Sequence, residues 1–232
     1  MRLLIWLCVI LVWPACRKKS LDSSFNEGRD YFPLSAGSWW LYQVDTISYN
    51  EFSGLITAGS SEILEVVDSL IVTPEGLTAW RLERFQRPLG HTAWSPPRIW
   101  WSTTTTRHAL KSEENNIYAK LVFPVTPNST WNGNIYNIFG ERRYRLTFVD
   151  KPFTGPFLTF DSTCHVLQHY YEDLLTYKNY EEIYARRVGL IHKLEYDVTG
   201  DSDPSVIHKP ILERIKSGFF RKYSLKDFYV SP

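Results

Sequence analysis

An all-β fold is what this sequence predicts: one strongly curved antiparallel sheet or open barrel, with little helix. Three observations carry the prediction. Apolar and polar residues alternate with a period of two, as where Tyr144, Leu146 and Phe148 face one way and Arg143, Arg145 and Thr147 the other. Aromatic residues make up 16% of the chain and mix with β-branched ones, a composition that suits pleated, half-buried surfaces. Turn-forming words separate about ten such runs at short spacing, the pattern of a sheet that curls or closes.

The elements follow in order. Residues 39–49 form the first run, with Trp40, Tyr42 and Val44 on one face. Asn50-Glu51-Phe52-Ser53-Gly54 turns the chain into residues 62–72, and Thr73-Pro74-Glu75-Gly76 turns it into residues 77–86. Residues 98–105 and 117–123 are the next two strands, the latter preceded by the turn at residues 113–116. Residues 142–149 alternate as described, and residues 157–170 make a longer run. The stretch EDLLTYKNYEEIYARR (residues 172–187) fits a helix with Tyr180, Ile183 and Tyr184 on one side, but its tyrosine content favours a strand. In residues 190–198, Leu190, His192, Leu194, Tyr196 and Val198 share an apolar face, where His192 is expected as a hydrogen-bonded core histidine. Ile191, Lys193, Glu195 and Asp197 form the other face, and residues 219–230 close the domain.

Two nine-residue phrases repeat: FPLSAGSWW from Phe32 to Trp40 and FPVTPNSTW from Phe123 to Trp131. In each, proline fixes φ and removes a ladder donor, so the phrase belongs at the start of a strand. Gly37 and Asn128 stand where a turn needs positive φ, and Trp40 and Trp131 follow as large anchors. Each phrase therefore reads as a turn and anchor that launches a meander.

The first sixteen residues, MRLLIWLCVILVWPAC, have the layout of an export signal: Arg2, an apolar run from Leu3 to Trp13, and then Cys16. The run is too short to span a bilayer as a helix. Three parts are expected: a leader over residues 1–15, a lipidated tether over 16–30 beginning at Cys16, and one β domain over 31–232. Arg17-Lys18-Lys19 would lie against anionic head groups once Cys16 carries acyl chains such as palmitate. Cys8 leaves with the leader, so Cys164 has no partner for a disulfide inside the chain, and the domain must be held by its core. Removing Arg2 with the leader leaves 25 basic residues against 25 acidic ones, a balance that argues against nucleic acid as a partner.

Catalytic and metal chemistry find little support. In DSTCHVLQHYYED, Cys164 and His165 are neighbours on a strand and point to opposite faces, so they cannot share a proton. His165 and His169 would stand about 13 Å apart along a strand, too far for one metal ion. No nucleophile elbow, phosphate loop or zinc-protease helix motif occurs in the sequence. The chain is therefore expected not to be an enzyme and to need neither metal nor cofactor. The remaining signal is aromatic: Trp94, Trp100 and Trp101 cluster in HTAWSPPRIWW and are the candidate ligand-binding residues, with core packing the competing explanation.

The opening Phe-Pro-Leu-x-x-Gly-x-x-Trp-x-Tyr (residues 32–42), the later Phe-Pro-x-x-x-x-x-x-Trp-Asn-Gly (123–133) and Tyr-Ala-x-x-Val-Gly-Leu-Ile (184–191) resemble a group of uncharacterised Bacteroidota lipoproteins. Gly37-Ser38-Trp39 is similar to the Gly-x-Trp of the first lipocalin strand. These resemblances imply a lipocalin-like or lipoprotein-carrier-like barrel; the export signal with Arg17-Lys18-Lys19, which resembles neither an acidic surface-export tag nor an inner-membrane retention aspartate, leads to the expectation of residence on the periplasmic face of an outer membrane. They bring no activity with them. Two functions are expected to compete: a non-catalytic binder of a lipid or apolar ligand, and an envelope-assembly lipoprotein contacting a protein partner or glycan.

Overall fold

The computed structural model describes residues 27–232; the leader, Cys16 and most of the expected tether lie outside the described residues. Twelve strands run in chain order: β1 (Trp39–Tyr49), β2 (Ile56–Val72), β3 (Thr78–Pro88), β4 (Arg98–Thr104), β5 (His108–Glu113) and β6 (Asn116–Val122) make the first half. β7 (Thr130–Asn132), β8 (Arg143–Thr154), β9 (Thr159–Glu172), β10 (Thr176–Ala185), β11 (Gly189–Gly200) and β12 (Ile215–Tyr229) make the second. The only helical pieces among the described residues are two short 3-10 turns, Arg29–Tyr31 and Ile211–Glu213. Residues 172–187 thus take the strand alternative, as β10.

All the strand pairs are antiparallel, and they form a single sheet in the order β6-β5-β4-β3-β2-β1-β12-β11-β10-β9-β8-β7. The order is a ring in chain sequence: β12 returns to pair with β1, and the two free edges, β6 and β7, are consecutive in the chain. The edges approach each other without forming a ladder. Ala119 donates its backbone N–H to Gly133 O at 2.9 Å, Trp131 Nε1 donates to Ala119 O at 2.7 Å, and Asn137 Nδ2 donates to Ile117 O at 2.9 Å. The result is a nearly closed barrel with one seam.

The ring consists of two six-stranded meanders, and each begins with the repeated phrase. The two copies make the same bonds. Gly37 N–H donates to Val67 O at 2.9 Å and Val67 N–H to Ser38 O at 2.8 Å; Asn128 N–H donates to Leu146 O at 2.7 Å and Leu146 N–H to Ser129 O at 3.0 Å. The hydroxyls of Ser35 and Ser38 lie 2.9 Å apart, those of Thr126 and Ser129 2.6 Å apart. Gly37 and Asn128 both take positive φ, at 82° and 66°. Trp40 pairs with Glu65 on β2, and Trp131 pairs with Tyr144 on β8, the same register counted from Val67 and Leu146. Both indoles are buried and donate to backbone carbonyls, Trp40 to Val188 and Trp131 to Ala119.

The segment before β1 is part of the domain. Glu27 O accepts from Val125 N–H at 2.8 Å, and Tyr31 is fully buried. Arg186 bridges Asp30 and Asp150, each at 2.7 Å. Phe32, Pro33 and Leu34 then lie against Trp40, Tyr42 and Leu82 and floor one end of the barrel. Two buried clusters flank this floor. One centres on Tyr31, Phe123, Trp131, Leu146 and Tyr184, the other on Trp40, Tyr42, Val67, Leu82 and Ile191.

Candidate functional site

Above the floor the barrel holds a cavity of about 470 Å³, lined at a period of two by side chains from consecutive strands. Tyr42, Val44 and Thr46 come from β1, Ser61, Ile63 and Glu65 from β2, Arg84 and Gln86 from β3, Arg98 and Trp100 from β4, Lys111 and Glu113 from β5. Lys193 and Glu195 of β11 and Arg221 and Tyr223 of β12 complete the wall. The cavity reaches the β3–β4 and β5–β6 connections through Ser95 and Glu114, so its mouth is at the end opposite the Phe32–Leu34 floor.

The lining is charged. Lys111 Nζ lies 2.6 Å from Glu65, and Lys120 lies 2.6 Å from Glu113 and 2.9 Å from Glu182. Lys193 joins the same group at 2.9 Å from Glu195. Lys120 and Glu182 are almost wholly buried, and the Tyr184 hydroxyl donates to Glu182. Ions so placed hold only because each meets an opposite charge; breaking one pair strands its partner in a poorly hydrated interior. The neighbouring lysines keep the Glu113 and Glu182 carboxyls below the ordinary range against the opposing effect of burial, and the carboxylates in turn hold Lys120 and Lys193 above theirs.

One cation stands apart. Arg84 lies over the Trp100 ring at 4.1 Å and donates to the Tyr223 hydroxyl at 3.3 Å, with no carboxylate in salt-bridge contact. Trp100 is only 8% exposed, and its indole N–H is unpartnered.

The structure separates the three candidate tryptophans. Trp100 lines the cavity. Its neighbour Trp101 takes the other face of β4, opposite Ser112 on β5, and packs on the Tyr31 cluster. Trp94 sits in the β3–β4 connection, 4.1 Å from the Arg87 guanidinium. Its sequence neighbours therefore form no shared platform.

Beyond the bulge at Ile191, the face assignment of β11 is the reverse of the one alternation suggests, although Leu190 before it does line the cavity. Lys193 and Glu195 point into the cavity, while His192 meets Phe153 and Tyr196 meets Phe220 outside it. His192 is half-buried, and burial lowers its pKa. The reason is an interior that holds ions in pairs, so the charged alternates need not face bulk water. A wholly apolar ligand does not suit this lining, because it would strip solvent from the ions and hydroxyls without replacing their hydrogen bonds.

His165 and Cys164 behave as strand neighbours. Cys164 is fully buried with its thiol pKa pushed well up by desolvation, and His165 engages Thr147 and Glu181, the latter at 3.2 Å. A register shift beside Gln168 places His169 opposite Tyr180. Sequence reasoning missed Arg84, Lys111, Glu113, Lys193 and Glu195 as wall residues; the only signal was their period-two placement beside Trp100, Tyr42 and Tyr223.

No family model matches the chain, and no curated protein matches it either. Two solved structures are similar in fold. One, described as a "putative lipoprotein" from Parabacteroides distasonis, is 13% identical with a TM-score of 0.46, over 86% of this chain and 98% of that one. The other, described as a "putative exported protein with YmcC-like fold" from Bacteroides fragilis, is 10% identical with a TM-score of 0.39, over 85% of this chain and 98% of that one.

Proposed function

We propose that the protein is a cell-envelope lipoprotein, acylated at Cys16, that binds a small polar ligand in its barrel without chemical turnover. The observation that carries the binding reading is the mouth-open cavity of about 470 Å³, within the ordinary range for small-molecule sites and lined by both ions and aromatic rings. Anchoring rests on the leader pattern from Met1 to Cys16. Residence on the periplasmic face of an outer membrane rests on Arg17-Lys18-Lys19, which resembles neither an acidic surface-export tag nor an inner-membrane retention aspartate. The non-catalytic reading is supported by the raised Cys164 thiol and by the opposed faces of Cys164 and His165.

Mass spectrometry of the acylated protein extracted from its own envelope tests the binding reading. A recovered small molecule at near-stoichiometric amount is expected, and its loss on filling the cavity with Ser61→Trp. Recovery of the empty protein, unaltered by Ser61→Trp, counts against it. A fatty-acid label that persists on Cys16→Ala would remove the anchor.

A second reading is an assembly lipoprotein that contacts a partner protein or glycan. It is favoured by apolar side chains exposed on the mouth-end connections, Phe52 at 99% and Ile138 at 94%. Crosslinking from Ile138 in the envelope, with an empty cavity, would favour it.

A further inference from the structure

We infer, resting on the ligand-binding reading above, that the cavity takes a carboxylated, hydroxyl-rich small molecule of the uronic-acid type, held by Arg84.

The inference begins with charge. Five cations line the cavity: Arg84, Arg98, Lys111, Lys193 and Arg221. Four of them lie against carboxylates of the same wall: Arg98 at 2.9 Å from Glu114, Lys111 at 2.6 Å from Glu65, and Lys193 and Arg221 at 2.9 and 3.3 Å from Glu195. Arg84 has none. Its guanidinium carries five N–H donors in a planar fork, and its one side-chain hydrogen bond goes to Tyr223. A planar fork held over an indole is suited to the two oxygens of a carboxylate. Beside it the Trp100 N–H, covered by protein in a residue more than nine-tenths buried, has no partner among the described residues.

The size of the surplus selects the anion. The wall also contributes four carboxylates, Glu65, Glu113, Glu114 and Glu195, so five cations leave one positive charge over. A carboxylate cancels that charge. A phosphate dianion would leave a negative charge among four others, in an enclosed space where repulsion is poorly screened.

The remainder of the wall selects the body of the ligand. Ser61, Gln86, Asn116 and the Tyr118 hydroxyl line the cavity with hydrogen-bonding capacity beyond the Gln86–Ser61 and Asn116–Glu114 bonds, and Trp100 offers a ring. Hydroxyl groups on a saturated ring can satisfy the first set. An alkyl chain would strip water from their remaining donors and acceptors without replacing it. A carboxylated sugar meets all three features.

Calorimetric titration of the full-length protein in detergent tests this. The probes are glucuronate, galacturonate and N-acetylneuraminate, with glucose, glucose 6-phosphate and dodecanoate for comparison. At least one carboxylated sugar should bind saturably at one site, and glucose should bind at least about tenfold more weakly. Arg84→Gln should weaken the acid by at least about tenfold, and Arg84→Lys, which keeps the charge and loses the fork, by an intermediate factor. Arg81→Gln, on the outer face of the same strand beside Asp68, should leave binding unchanged. Thermal melts accompany each variant; should Arg84→Gln fail to fold, Arg84→Lys carries the comparison. Tighter binding of glucose, glucose 6-phosphate or dodecanoate, or indifference to both Arg84 variants, overturns the inference. A neutral or apolar molecule recovered from the native envelope protein would also overturn it while leaving the ligand-binding reading intact. No recovered molecule and no binding of any probe would overturn both.

Discussion

Trp40 and Trp131 show how one residue type does the same structural work twice. Each ends its phrase, is over 90% buried, and places its indole N–H on a backbone carbonyl. Truncating either leaves a large void and an unpaired carbonyl, so Trp40→Ala and Trp131→Ala should each cost roughly 3–5 kcal/mol, by comparable amounts. Urea denaturation of both variants measures this, and a variant with the wild-type midpoint would show that its phrase is not an anchor. This pair was legible in the sequence because proline, a positive-φ residue and a tryptophan at fixed spacing leave few alternatives. Arg84 and the Lys120–Glu182 pair were not. Charged residues alternating with apolar ones read the same whether the water is outside the sheet or inside it, and only closure of the barrel decides which.

At the scale of elements, alternation located most strands to within a few residues, and failed for β5. That strand sets Lys111 and Glu113 toward the cavity and runs into Glu114-Asn115, both at positive φ, so its sequence reads as an extended turn. The seam between β6 and β7 was equally hidden, since it is defined by bonds that are missing. β6 pairs with β5 through a ladder but meets β7 and the residues just after it through three isolated hydrogen bonds, whereas β1 and β12 pair along their length. Local opening is easiest where few bonds must break together. Amides of β6 and β7 should therefore exchange with deuterium at least about tenfold faster than those of β1 and β12, read by mass spectrometry on peptides. Uniform protection around the ring would mean that the seam is no weaker than the ladders. Gly133 marks the same place: a Cβ there would sit 2.2 Å from the Tyr144 ring, so Gly133→Ala should widen the gap and speed exchange at Ala119.

For the whole molecule, the paired charges set a pH window. Glu62, Glu113, Glu182 and Asp150 are held below the ordinary carboxylate range, chiefly by Lys226, Lys120 and Arg186 beside them. Groups depressed on folding give stability that is complete above their unfolded pKa, near 4, and lost as pH falls through their folded values. His108, His169 and His192 are lowered by burial, so their contribution also fades on acidification, beginning near pH 6.5. Lys120 and Lys193 are raised, and the buried Tyr42 and Tyr184 phenols are raised by desolvation; both sets stabilise below about pH 10 and cease to do so above it. Melting temperature should accordingly form a plateau between about pH 7 and 10, decline gently below it, and fall steeply under about pH 4. A melting temperature that rises on going from pH 7 to pH 4 would contradict the network. The position of the mouth has its own consequence. The chain enters the barrel at the floored end, beside Phe32 and Val125, and the cavity opens at the other. With an acyl anchor at Cys16, the bilayer would lie beneath the floor, and the opening would look away from it into the aqueous compartment. Cargo passing through this mouth would then be exchanged with dissolved molecules or with a facing macromolecule, and not with the lipid beneath the floor.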